Sequence, residues 1–130
     1  MIVVDASALL EVLLNTPDGT RVAARLFAAD ETLHAPHLLD LEVSQVLRRY
    51  ERTGQLDSTR GRQAIDDLLD FPLTRYSHDV LLPRIWELRH NLTVYDAVYL
   101  ALGEALGAPV VTRDAALAAA PTRGVRIELI

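Results

Sequence analysis

Two short apolar runs restrict the architecture more than any other feature of the chain. Ile2-Val3-Val4 and Pro109-Val110-Val111-Thr112 are too short for helices and lack polar alternation, which marks strands buried on both faces of a sheet. Between them, helical patterns alternate with further strand-like segments. Ala6 to Leu14 reads as a short helix closed by the Asn15-Thr16-Pro17-Asp18-Gly19 turn cluster, and a second helix covers Thr20 to Ala29. Thr32 to Ala35 reads as a strand before Pro36, and apolar residues from Leu38 to Tyr50 then recur at near-helical spacing up to Gly54. Asp57 or Ser58 caps the next helix, Pro72 to Arg75 forms a strand, and His78 to Arg89 reads as one helix with Pro83 in its first turns. Thr93 caps a helix from Val94 to Leu106 that Gly107 stops, and a short alanine-rich helix precedes a last strand around Val125 to Leu129. This order predicts an α/β fold in three layers, α/β/α, with a central, mainly parallel sheet in a single domain over residues 1–130.

Composition then removes whole classes of chemistry. The chain has no cysteine, which excludes disulfide scaffolds, thiol nucleophiles and cysteine metal sites. It also has no lysine, since all 13 basic residues are arginine, so a Walker-type or Schiff-base lysine is excluded too. Met1 runs directly into the first strand and Asp5 without a basic leader, and no segment reaches the ~20 apolar residues of a spanning helix. The expectation is a cytoplasmic protein with no membrane association.

The carboxylates are informative by position. Asp5 and Asp114 follow the two strongest strands, so both project at the carboxyl edge of the sheet, where open α/β folds place ligands. Asp96 lies in the first turn of a helix and Glu42 in the first half of another, and helices that leave strand ends begin at that same edge. Four carboxylates gathered in one crevice repel one another unless a cation neutralises them. A hard divalent ion, Mg²⁺ or Mn²⁺, suits an all-oxygen set and supports phosphodiester hydrolysis without lysine or cysteine. Asp40 competes with Glu42, because residues two apart on a helix face opposite ways.

Other side chains leave alternatives open. Arg48, Arg49 and Arg52 form a basic cluster on the helix of Glu42, which fits a solvated face as well as contact with RNA or a partner. The formal net charge of −5 gives no general attraction to nucleic acid, so RNA binding would rest on local arginines and a bridging metal. His34 and His37 flank Pro36 and read as structural or exposed; His78 and His90 carry no assigned role. Trp86 and Tyr99 read as core or dimer packing.

The segments Val3-Val4-Asp5-Ala6-Ser7-Ala8-Leu9-Leu10, Leu41-Glu42-Val43, Tyr95-Asp96-Ala97-Val98-Tyr99-Leu100-Ala101-Leu102 and Val110-Val111-Thr112-Arg113-Asp114 resemble PIN-domain proteins, and more closely the VapC-type toxins of bacterial toxin–antitoxin pairs. The resemblance runs from Ile2 to about Leu117 in the family's order. It implies a Mg²⁺- or Mn²⁺-dependent endoribonuclease whose acidic quartet falls on Asp5, Glu42, Asp96 and Asp114. It further implies that Asp5 and Asp96 are the principal metal ligands, Asp114 a ligand directly or through water, and Glu42 a second ligand or water-orienting base. Ser7 and Thr112 would orient waters or carboxylates behind them. A VapB-like antitoxin and a homodimer are implied as partners. Two other readings compete: a catalytically silent PIN-like binding module, and an aspartate-based phosphatase or phospho-acceptor domain acting through Asp5. The second lacks the lysine, and has Ser7 where a second aspartate normally stands.

Overall fold

The computed structural model describes residues 1–130. Strand β1 (Ile2–Val4) leads into helices α1 (Ala6–Leu13) and α2 (Gly19–Leu26), and β2 (Leu33–Pro36) into α3 (Leu38–Arg52) and α4 (Ser58–Asp70). After β3 (Leu73–Tyr76), a 3-10 turn at Asp79–Leu81 opens α5 (Leu82–Glu87), and α6 (Val94–Leu106) follows. The chain finishes with β4 (Val110–Thr112), α7 (Ala115–Ala118) and β5 (Ile127–Leu129). The five strands form one sheet in the order β3-β2-β1-β4-β5, and every ladder is parallel.

This strand order positions the site. From β1 the chain winds outward through β2 to β3, then returns to lay β4 on the other side of β1, with Val3 opposite Val110 and Val4 opposite Val111. Connections therefore lead away from the ends of β1 and β4 in opposite directions, and a crevice opens beyond those ends, at the point where the winding reverses. Val3, Val4, Val110 and Val111 are completely buried, as runs without polar alternation require. Helix α6 is buried on all sides from Ala97 to Gly103 and packs on β1 and β2, so its first turn is held rigidly against the sheet. Gly103 permits this approach: a Cβ there would stand 3.0 Å from a Val110 methyl and 3.1 Å from the Ala108 carbonyl oxygen. Thr93 accepts the Asp96 amide proton at 3.2 Å, and Gly107 ends the helix with φ +62°.

The sequence reading departs from the structure in a few places. The helix expected over His78 to Arg89 is divided into the 3-10 turn and the six residues of α5, since Pro83 lies in the first turn of α5 and has no amide proton to continue an earlier helix. Helix α2 stops at Leu26 rather than Ala29, and Asp30 just beyond adopts φ +64°, which no α-helix accommodates. Of the two packings open to Trp86, core or dimer surface, the core is ruled out: it is 63% exposed, with the Arg89 guanidinium 4.4 Å from its ring centre. No helix is long and apolar enough to cross a membrane.

Candidate metal centre

Asp5, Glu42, Asp96 and Asp114 line one cavity of about 650 Å³ at the carboxyl ends of β1 and β4. Each is delivered by a different local device. Asp5 occupies the N-cap position of α1 in an extended conformation, yet its side chain makes no capping bond. Its Oδ2 instead receives two hydroxyl protons, from Ser7 at 2.6 Å and Thr112 at 2.7 Å. Those hydroxyls in turn accept the backbone amide protons of Arg113 and Asp114, both at 2.9 Å. Every proton in this arrangement has one direction, so the 3.2 Å approach of the Ser7 and Thr112 oxygens is a contact without a proton between them. Oδ2 is saturated, and Oδ1 is the oxygen of Asp5 left for a ligand.

Glu42 lies in the second turn of α3, and its Oε1 accepts the Tyr99 phenolic proton at 2.6 Å. Tyr99 is 1% exposed, and burial, followed by the charges of Asp5 and Glu42, pushes its phenol far above the ordinary range, so the proton stays on Tyr99. Asp40 points elsewhere and accepts from the Arg75 Nε at 2.8 Å, so of Asp40 and Glu42 it is Glu42 that reaches the cavity. Asp96 sits in the first turn of α6, where the amino end of the helix favours negative charge. Asp114 is the N-cap of α7 and uses Oδ1 to accept the Ala116 amide at 2.8 Å, while its Oδ2 receives no hydrogen bond and the residue lines the crevice.

The electrostatics of the four acids are uncompensated. None of them has an arginine, histidine or terminal-amine partner within 4.0 Å, although arginines pair with many acids elsewhere in the molecule. Burial, with help from the charges of Asp5 and Asp96, pushes Glu42 above the usual carboxylate range, the Tyr99 bond opposing. Burial and the charges of Asp114 and Asp5 do the same to Asp96. The donor set fits a hard divalent cation: it is all oxygen, carries excess negative charge, and keeps the Asp5 Oδ1 and Asp114 Oδ2 free of protein donors. It is not a closed cage, since no three His, Asp or Glu side chains stand close enough to enclose an ion between them. An octahedral ion that keeps several waters needs only one or two direct carboxylates, which matches an open arrangement.

The basic cluster divides. Arg49 lines the crevice, Arg48 faces a separate groove between α3 and α4, and Arg52 reaches neither. Sequence reading did not single out Arg113, which also lines the crevice and is anchored by Asp18 at 2.9 Å and the Ile130 carbonyl at 3.1 Å. Nor did it foresee the Tyr99–Glu42 bond; Tyr99 falls one helical turn after Asp96, the spacing that could have flagged a shared face. His34 is structural, bonded to Thr32 at 2.9 Å and Tyr76 at 2.8 Å, and His78 accepts the Leu38 amide at 2.9 Å at the start of α3.

Known proteins resemble this chain in sequence and fold. The PIN domain sequence model matches residues 2–122. Ribonuclease VapC9 of Mycobacterium tuberculosis is 48% identical over 114 residues, 88% of this chain and 86% of its own. Ribonuclease VapC1 of the same organism is 39% identical over 129 residues, 98% and 96% of the two chains. A toxin–antitoxin complex from Klebsiella pneumoniae has the same fold, with a TM-score of 0.66 at 18% identity over 96% of this chain and 95% of that one.

Proposed function

The chain belongs to the PIN-domain family, among the VapC ribonucleases, and on that premise we propose that it is an endoribonuclease toxin that hydrolyses RNA phosphodiesters in the four-carboxylate crevice. One observation carries this reading: four acids from four separate stretches of chain line a single cavity, and none is paired with a cation. Divalent-metal dependence is general among VapC ribonucleases, and Mg²⁺ or Mn²⁺ is the ion proposed here. When bound, the ion supplies Lewis-acid activation of water and of a phosphate oxygen.

The protein's own residues do the rest. Asp5, whose Oδ1 has no protein donor, and Asp96 would hold the ion, and Asp114 would hold it directly or through a water. Ser7 and Thr112 fix the Asp5 carboxylate from behind, so that its free oxygen has one aim. Glu42 is a further ligand or the base that orients the attacking water. In the second role its Oε2 takes a proton from water as the water oxygen bonds to phosphorus, while the ester P–O bond breaks and the departing ribose oxygen takes a proton from solvent; burial, which raises the Glu42 pKa, favours the proton it gains. Toxin–antitoxin complexes among proteins of this fold support an antitoxin partner. A homodimer and a single PIN-like unit over 1–130 complete the proposal; the exposed Leu82, Val94 and Tyr95 beside the crevice supply apolar surface for a second copy.

The test is cleavage of total RNA by purified, antitoxin-free protein with and without Mg²⁺ or Mn²⁺, mapping new 5′ ends, with Asp5→Asn in parallel. Discrete cuts that need metal and vanish in Asp5→Asn are expected. Cuts that survive both chelation and the substitution would remove the four acids from the chemistry.

A further inference from the structure

The crevice is longer than the group of acids. Along α3 it continues from Glu42 through Gln45 and Val46 to Arg49 and Tyr50. Residues 42, 45, 46 and 49 recur at helical spacing on one face, so Arg49 lies two turns beyond Glu42, about 10 Å along the helix axis. The cavity thus has an anionic end at the strand termini and a cationic end at the last turns of α3.

Its two arginines differ in what holds them. Arg113 is bound by Asp18 and the Ile130 carbonyl, with Glu11 at 3.8 Å. Arg49 has no carboxylate within 4.0 Å and donates no side-chain hydrogen bond; its guanidinium lies 5.6 Å from the centre of the Tyr50 ring. An arginine that lines the cavity away from its acids and pairs with no carboxylate keeps its planar donor fork free for an incoming anion. Two aromatic rings line the same cavity, Tyr50 beside Arg49 and Tyr95, 60% exposed, at the start of α6. A flanking phosphate with stackable bases on either side is what this end accommodates.

We propose that Arg49, with Tyr50, Gln45 and Tyr95, forms a subsite for an RNA phosphate and base flanking the scissile bond, and that it fixes the register of the strand across the four acids. This rests on the ribonuclease reading and deepens it. RNA is favoured over a protein segment because it brings a negative group to both ends of the cavity: one bridged to the acids by the metal, the next to Arg49. A peptide that neutralised the acids with a basic side chain would need a separate acidic group for Arg49. Arg48 and Arg52 carry the same charge on the same helix outside the cavity, and serve as internal controls.

The experiment measures binding of a labelled single-stranded RNA of mixed sequence to the full chain in an Asp96→Asn background with Mg²⁺, over a salt series. Arg49→Ala is expected to weaken binding about tenfold at low salt and to reduce the slope of log K against log salt by about 0.7, the loss of one single-strand phosphate contact. Arg48→Ala and Arg52→Ala should leave the slope in place. In the cleaving protein Arg49→Ala should raise KM with kcat retained, and should leave a dinucleotide substrate, which has no flanking phosphate, unaffected. An equal loss for all three arginines would make the effect general electrostatics and overturn the subsite. So would no loss at Arg49, or loss of antitoxin binding alone. Failure of the unsubstituted protein, with Asp96 and Arg49 both intact, to bind or cut any RNA in Mg²⁺ would instead overturn the ribonuclease reading.

Discussion

Acidic residues serve two opposite purposes in this molecule. On the edge of the sheet at β5, Arg25 donates to Glu128 and to Glu31, both at 2.7 Å, and across α5 and α6 Arg84 holds Glu104 through two nitrogens at 2.6 and 3.0 Å. In the crevice, four acids stand without any cationic partner. The first arrangement joins elements; the second costs the fold stability and holds its charge for something that arrives from outside. The difference shows in the pKa directions: the hydrogen bond from Arg25 holds Glu128 below the ordinary value of 4.5, whereas burial pushes Glu42 above it. Stored repulsion of this kind marks function, because the chain could have relieved it with one more arginine.

Substitutions that separate activity from stability sharpen the contrast. Asp5→Asn should lower metal-dependent cleavage by about three orders of magnitude or more, since several kcal/mol of transition-state stabilisation are lost, while the melting temperature without metal holds or rises. Arg84→Ala should do the reverse, with cleavage within about twofold and stability reduced by at most about 1 kcal/mol for a partly exposed pair. Activity loss at Arg84 equal to that at Asp5 would erase the distinction between the two regions.

Smaller effects follow from the groups behind the acids. Ser7→Ala or Thr112→Val should weaken Mn²⁺ binding about tenfold to a hundredfold by calorimetry, because the Asp5 carboxylate loses one of its two fixed donors. Unchanged affinity in both variants would mean that Asp5 needs no such support. Next in size is a pH effect of opposite sign in the two regions. With its folded pKa raised, ionised Glu42 destabilises the fold above that raised value and has no effect well below 4.5. Glu42→Gln in chelator should therefore raise the melting temperature by about 3 °C at pH 7, with the gap closing as pH falls and also on adding Mg²⁺. Glu128, held low, stabilises above 4.5 and loses that contribution as pH falls through its folded value. Arg25→Ala should cost about 1 kcal/mol at pH 7 and progressively less in acid. Thermal scans of both variants across pH check the pair; parallel trends would contradict the assignment.

Most of the architecture was legible because its signals are local. β1 and β4 announce themselves by β-branched runs, and Thr93 and Gly107 bound α6 by capping chemistry that reads directly from residue type. Asp5, Glu42, Asp96 and Asp114 could be placed at one edge because strand ends and helix starts coincide there in a parallel sheet. What escaped depends on side chains reaching across the fold. Tyr99 reads as core or dimer packing and is core, yet its hydroxyl bonds a crevice carboxylate, Glu42, a division that hydropathy averages away. Asp114 combines a cap with a cavity oxygen, which no residue pattern distinguishes from a cap. Among Arg48, Arg49 and Arg52 the choice depends on helix rotation relative to the sheet, which packing decides.

The hydroxyls of Ser7 and Thr112 also affect how the crevice moves. The amides of Arg113 and Asp114 leave the end of β4, where a short strand opening into an exposed turn would ordinarily fray. Both are instead stitched to the end of β1 through hydroxyls whose protons terminate on a buried carboxylate. In hydrogen–deuterium exchange these two amides should resist solvent far longer than the exposure of Asp114 suggests. The floor of the cavity then behaves as part of the sheet, and whatever flexing admits a long substrate falls to the lips formed by α3 and the start of α6.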